Sequence, residues 1–200
     1  MKETIQSILG FWFGDATDDA AAAARQAGLW WGKSDETDRE IGDRFEALLQ
    51  QAAGGQLDAW AQTPQGRLAL ILLLDQFPRN IYRGTPQAFA YDAQARELTL
   101  AGLQAGDDQS LRPIERVFFY LPLEHAEDLP LQQRCVALFE QMQTSLPAAA
   151  AKVFDGFTGF ARKHQVIIER FGRFPHRNEI LGRASTAEEL AFLATPGSSF

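Results

Sequence analysis

The feature that most limits the fold is a run of seven aliphatic residues, Leu68-Ala69-Leu70-Ile71-Leu72-Leu73-Leu74, that follows Thr63-Pro64 and runs straight into Asp75. Thr63 suits a helix N-cap and Pro64 the first helical position, where a missing N–H costs nothing. A helix that is apolar on every face must be central, with other elements wrapped around it. At seven residues the run is also too short to span a bilayer.

The wrapping segments carry helical periodicity and almost no strand alternation. Ile5, Ile8, Leu9, Trp12 and Phe13 form an amphipathic stripe that Gly14 ends. Asp15 to Lys33, with its alanine run, fixes no element. Thr37-Asp38-Arg39-Glu40 has the capping-box pattern and opens a helix through Ile41, Phe45, Leu48 and Leu49. Phe77-Pro78 is expected to stop the central helix, since the residue before proline is pushed out of the α region. Thr85-Pro86 opens a helix to Gly106, and Arg112-Pro113 opens another that halts at Leu121-Pro122. Pro130 to Ser145 carries the next one. Pro147 leads the longest helix, with Val153, Phe157, Phe160, His164, Ile167 and Phe171 on one seam. Ser185-Thr186-Ala187-Glu188 is a second capping box for a short helix through Leu193, and Thr195 to Ser199 reads as a frayed tail. About eight helices joined by short turns imply a single all-α domain over residues 1–200, either a bundle or a stack of helical hairpins.

One internal echo favours the stack. Phe77-Pro78-Arg79-Asn80 followed by Gly84 resembles Phe174-Pro175-His176-Arg177-Asn178 followed by Gly182. The two asparagines lie 98 residues apart, close to three periods of about 33–34 residues, the length of helix-turn-helix repeats.

Charge and cysteine use narrow the function classes. A formal charge of -7 and a pI near 5.0 lack the electrostatic footprint of a nucleic-acid binder. The charge is uneven: residues 1–60 hold five basic and eleven acidic side chains, residues 161–200 six basic and four acidic. Pairing between these two segments is the expected use of the asymmetry. The one cysteine, Cys135, reads as a buried apolar residue and suits a reducing compartment. Met1-Lys2-Glu3-Thr4-Ile5 lacks signal-peptide character, so a soluble cytoplasmic protein without membrane contact is expected.

Asp75 is the most informative polar residue, because its carboxylate points from the end of an apolar helix into the expected core and needs a cationic or hydrogen-bonding partner. Arg79 and Arg83 are the nearest cations; Arg170, Arg173 and Arg177 arrive if the echo turns converge. In that case the guanidinium groups bind a carboxylate or phosphate bidentately; otherwise they pair with Asp75, Glu124 and Glu169. His164 takes an apolar seam position, His125 follows Glu124 just beyond a proline, and His176 lies in the second Phe-Pro turn. Phe11-Trp12-Phe13, Trp30-Trp31 and Phe118-Phe119 read as core, while the Tyr120 hydroxyl beside Pro122 is kept as a candidate. No metal-ligand pair shares a helix face, and neither a nucleophile elbow nor a glycine-rich phosphate loop exists. Neither a metal nor a cofactor is expected.

These residues resemble a known family. Ile8-Leu9-Gly10-Phe11-Trp12-Phe13-Gly14, Gly66-Arg67-Leu68, Leu74-Asp75-Gln76-Phe77-Pro78-Arg79-Asn80, Phe119-Tyr120-Leu121-Pro122-Leu123-Glu124-His125 and Arg170-Phe171-Gly172-Arg173-Phe174-Pro175-His176-Arg177-Asn178 are similar to the bacterial domain of unknown function 924, over essentially the whole chain. The resemblance implies a tetratricopeptide-like α-α superhelix and brings no established activity. Ala126 departs from it, standing where serine is expected after the histidine.

Three readings of function follow. The first is a helical-repeat-like protein that binds a peptide segment or a small anionic ligand through Arg79, Asn80, Arg83, Tyr120, Arg173, His176, Arg177 and Asn178. In the second, a hydrolase-like enzyme uses His125 or His164 as general base and Glu124 or Asp75 as its orienting acid. In the third, the chain is a structural interaction domain whose polar groups satisfy one another.

Overall fold

A computed structural model describes residues 3–198, and among them the regular elements are all helical. They are α1 (Ile5–Phe13), α2 (Asp19–Trp31), α3 (Asp35–Ala53), α4 (Pro64–Ile71), α5 (Phe77–Ile81), α6 (Asp92–Ala105), α7 (Pro113–Glu124), α8 (Leu129–Thr144), α9 (Ala148–Ala151), α10 (Asp155–Phe171) and α11 (Ala187–Leu193), joined in places by 3-10 turns. The aliphatic run is central as expected. Thr63 Oγ1 accepts from Gly66 N–H at 3.1 Å, Leu68 to Leu74 are all buried, and α4 packs on α1, α6 and α7. Trp12, Trp30, Phe77 and Phe118 interlock beside it, with Trp30 Nε1 donating to Trp12 O at 2.8 Å. Trp31 is the exception among the aromatics expected in the core, being 53% exposed while its ring stacks on Phe118. A smaller apolar cluster, Ile167, Ile168 and Phe174, lies at the other end of the chain.

Both proline stops are corrected. Phe77-Pro78 does not end the central helix: Leu72–Gln76 forms a π turn in which Phe77 N–H bonds to Leu72 O, and α5 carries the chain on to Ile81. In an unbroken α-helix Pro78 would lose one ladder bond and press its ring onto the preceding turn; the extra residue of the π turn relieves that clash. Pro122 likewise lies inside α7. The missing N–H of Pro122 frees Phe118 O, and the next two carbonyls accept side-chain donors, Phe119 O from Thr99 Oγ1 at 3.0 Å and Tyr120 O from Cys135 Sγ at 3.6 Å. Each helix is held by tertiary contacts that local propensity does not register.

Several boundaries also move. Ser34, three residues before Thr37, caps α3. Thr85-Pro86 starts only a 3-10 turn, Pro86–Phe89, and α6 begins at Asp92. After Pro147 come α9 and a 3-10 turn, so the longest helix is α3 with 19 residues rather than the one led by Pro147. Phe160, expected on the seam of α10, is half exposed. The second capping box runs from Thr186 to Glu189. Ser198 is not frayed, since its hydroxyl donates to Leu193 O at 3.1 Å; Ser199, like Met1 and Lys2 of the signal-peptide reading, lies outside the described residues.

The expected pairing of the acidic and basic segments does not occur among the described residues. Asp15, Asp19, Asp38 and Glu40 pair with Arg25, Arg112, Arg83 and Arg44, whereas Arg170, Arg173, Arg177 and Arg183 take Glu188, Glu189, Asp92 and Glu127. No helix of the described residues is long and apolar enough to cross a membrane.

Candidate functional site

The π turn delivers Asp75 to the centre of the polar cluster. Its carboxylate is fully buried. Oδ1 lies 2.8 Å from His125 Nδ1 and 3.5 Å from Arg79 Nη1, and Oδ2 accepts from Gln76 Nε2. Burial alone would raise the Asp75 pKa, but the charge of Arg79 and the hydrogen bonds with His125 and Gln76 outweigh it and hold the carboxyl well below the usual range. Asp75 is therefore an anion. His125 caps the C-terminus of α7. Burial and the Arg79 charge push its pKa down against the pull of Asp75, so the ring is neutral at pH 7 and the carboxylate assigns its proton to Nδ1. Nε2 is left with its lone pair and makes no hydrogen bond to a described residue.

The two echo turns do meet here. Gly84 and Gly182 close them with φ of +76° and +64°, a conformation that suits glycine. Arg79 of α5 grips Asp92 with Nη1 and Nη2 at 2.9 and 3.1 Å. Arg177, from the 3-10 turn Pro175–Arg177, reaches the same carboxylate at 3.4 Å and donates to His125 O at 3.2 Å. Its guanidinium lies 4.7 Å from the Phe89 ring centroid and 4.6 Å from that of Phe174. Arg177 Nε is buried with no hydrogen-bond partner. Burial, then the like charge of Arg79, bring the Arg177 pKa down to about 10. Asp92 and Phe89 are site residues that sequence reasoning missed, and nothing local marks them: only the convergence of two distant turns gives them a role.

Behind the dyad stand Glu124 and His164, both buried. Burial and then the charge of Asp75 raise Glu124 to about 8, and burial lowers His164 to about 3. His164 Nδ1 lies 2.9 Å from Phe160 O and 3.1 Å from Glu124 Oε1. At pH 7 this contact joins two neutral groups. His176 is lowered to about 4, by burial first and Arg177 second. The pH dependence of stability follows. The folded protein holds the Glu124 proton more tightly than the unfolded chain between about pH 4.5 and 8, so stability falls as pH rises through that window. His164 and His176 act oppositely, but only below their ordinary value of 6.5. Thermal melts of the wild type are therefore expected to lose on the order of 1–2 kcal/mol between about pH 6.5 and 8.5, and those of Glu124→Gln to stay level; equal slopes in both proteins would remove Glu124 as the cause.

The other expected site residues are engaged elsewhere. Asn80 Nδ2 and the Arg83 guanidinium both hold Asp38 of α3, at 2.8 Å and at 2.6 and 2.8 Å. Tyr120 donates to Asp108 at 2.7 Å, and burial raises its pKa further. Arg173 clamps Glu189 at 2.6 and 2.8 Å, and Asn178 donates to Ser185 Oγ at 3.0 Å. Long side chains on neighbouring turns point to different carboxylates, which spacing in sequence does not reveal. Glu127 fixes the second turn by accepting from Phe174 N–H and pairing with Arg183. Ala126 is buried. No group of three or more His, Cys, Asp or Glu among the described residues stands close enough to hold a metal ion.

Two shallow clefts open elsewhere on the described residues, and neither is lined by Asp75, Arg79, His125 or Arg177. The larger, about 520 Å³, is lined by Asp38, Asp43, Glu46 and Arg39 and lies away from the dyad; its acidic rim is a poor seat for an anion. The other, about 490 Å³, is lined by His176, Glu179, Arg183, Leu190 and Leu193 and adjoins Arg177 in sequence. The chemistry rests with the Asp75-His125-Arg79-Arg177 cluster.

Comparison with known proteins agrees with the fold. Residues 8–197 match the family model described as bacterial protein of unknown function, DUF924. The solved structure of a protein of unknown function from Agrobacterium tumefaciens, ATU0120, is similar at 40% sequence identity, covering 88% of this chain and 99% of that one with a TM-score of 0.73. No curated protein matches the chain.

Proposed function

The chain belongs to the DUF924 family of bacterial proteins of unknown function, and from that membership, which brings no activity with it, we propose that it binds a small anionic ligand where Arg79, Arg177 and His125 meet. The observation that carries this reading is Arg177, a nearly buried guanidinium lying against two aromatic rings with Nε unbonded. An unmade buried donor costs roughly 1–3 kcal/mol, more on a charged group. A carboxylate or phosphate is the chemistry that completes it, because a guanidinium offers parallel donors to two oxygens. Arg79 supplies the second cation. A free metabolite and the acidic end of a peptide present the same group.

Titration calorimetry with acetate and inorganic phosphate tests this. Binding in the millimolar range is expected, weakened at least ten-fold by Arg177→Gln and unchanged by Arg170→Gln, whose side chain pairs with Glu188 on the surface. Absence of binding by either anion to the folded wild type would sink the proposal.

The enzyme reading is favoured by one specific observation: Asp75 orients His125 through Nδ1 and leaves Nε2 to take a proton. That arrangement suits a general base acting on water beside a bound anion. Ester, amide and phosphoester substrates whose turnover disappears in His125→Gln would establish it; no turnover leaves the binding reading alone. A single domain with tetratricopeptide-like stacking belongs to the same proposal, supported by the successive packing of α7 on α8 and α8 on α10. A cytoplasmic location is its companion, supported by the buried free thiol of Cys135.

A further inference from the structure

Phe89 and Asp92 sit on one short stretch of chain that covers both arginines. The stretch leaves α5 through Gly84, passes the 3-10 turn Pro86–Phe89 and enters α6 at Asp92. Residues 83–87 are exposed. Its two inward side chains divide two tasks. The Asp92 carboxylate takes guanidinium N–H groups at 2.9, 3.1 and 3.4 Å. The Phe89 ring lies 5.6 Å from the Arg79 guanidinium and 4.7 Å from that of Arg177.

Phe89 has no evident second role, and Asp92 has only the modest one of an acidic residue in the first turn of a helix. Phe89 belongs to neither apolar cluster, so its ring packs on charge instead of on the core. Asp92 is the first residue of α6, and no side chain caps that helix. Only one contact, the longest of the three, ties Asp92 to Arg177, whose Nε stays unbonded.

We infer, building on the anion-binding reading above, that this stretch is a tethered stand-in for the ligand: Asp92 holds the place of a ligand carboxylate and Phe89 that of an attached apolar ring. The site accordingly takes an aromatic monocarboxylate, which enters by displacing the two side chains from Arg177. Charge balance selects a monoanion. Arg79 and Arg177 are already matched by Asp75 and Asp92, so exchanging one carboxylate for another keeps the site neutral. A phosphate dianion would leave an uncompensated negative charge in a half-buried place, which is costly. The aromatic part follows from the guanidinium face, which stacks on a ring as readily in trans as on Phe89.

The probe is 3-phenylpropionate, with acetate and inorganic phosphate beside it, titrated into wild type and Asp92→Asn. Asp92→Asn is expected to bind 3-phenylpropionate at least ten-fold more tightly than wild type and in preference to the other two anions. In the wild type, saturating 3-phenylpropionate is expected to speed amide hydrogen exchange across residues 84–92, a readout that needs no variant and that binding elsewhere would not move. Equal affinity in the two proteins, or slower exchange in that stretch, would overturn the stand-in. Phosphate bound more tightly than 3-phenylpropionate would overturn the ligand class while leaving anion binding in place. No binding of any of the three to either folded protein would overturn both.

Discussion

Asp75→Ala is expected to cost about 3–5 kcal/mol of folding stability, the loss that follows when one member of a buried charged network is removed and its partners are left behind. Asp75 is fully buried, and its carboxylate is met by His125, Gln76 and Arg79. Alanine leaves an imidazole N–H and an amide donor unsatisfied, and it strips Arg79 of one of its two counter-charges. Asp75→Asn keeps an acceptor for His125 and is expected to lose less, the remainder being the charge. The acid limb has a definite sign. Because the folded state holds this carboxyl below its unfolded value of about 3.8, its stabilisation is complete above that pH and is lost as pH falls below it. Urea unfolding at pH 7 and at about pH 3 should therefore show a wide gap between wild type and Asp75→Ala that narrows in acid. A gap that is small at pH 7 would mean that the network is not carrying charge.

What makes Asp75 legible in the sequence is also what limits the rest. A carboxylate directly after seven aliphatic residues has to find a partner in the core, and Arg79 one turn later is the local choice. The echo of the two Phe-Pro turns likewise anticipates that Arg79 and Arg177 converge. Their shared target does not follow from any spacing, because Asp92 enters only through the path of the segment after Gly84. The misread prolines have a related cause. Pro78 and Pro122 are helix breakers by local sterics, but a π turn and side-chain donors on Thr99 and Cys135 come from tertiary packing. The arginines whose partners were not anticipated, Arg83 and Arg173, find them at Asp38 and Glu189 because a long flexible side chain takes the carboxylate that the fold brings within reach.

Gly66→Ala is expected to cost about 3 kcal/mol or more, since insertion into a close-packed backbone contact exceeds the ordinary penalty of overpacking. A Cβ at Gly66 would lie 2.1 Å from Trp60 O and 2.9 Å from Thr63 Oγ1. Neither atom is free to retreat: Trp60 O accepts from Thr63 N–H at 3.2 Å, and Thr63 Oγ1 caps the helix through Gly66 N–H. Arg67, the next residue, is tied to Ala61 O and Asp107 at 2.7 and 2.6 Å, so any shift of this turn also loosens that pair. The damage enters at the start of the helix that carries Asp75, which gives the Gly66-Arg67-Leu68 string a packing reason to be present. Gly10→Ala is the matched comparison, because Gly10 is an exposed position inside α1 with nothing within 4 Å of an added Cβ. There alanine is expected to stabilise by about 0.5–1 kcal/mol through helix propensity. In thermal melts at neutral pH the first substitution should lower the midpoint by roughly 6–12 °C and the second raise it by about 1–4 °C. If Gly66→Ala leaves the midpoint level or raises it, the turn at residues 60–66 is not packed as tightly as these distances require.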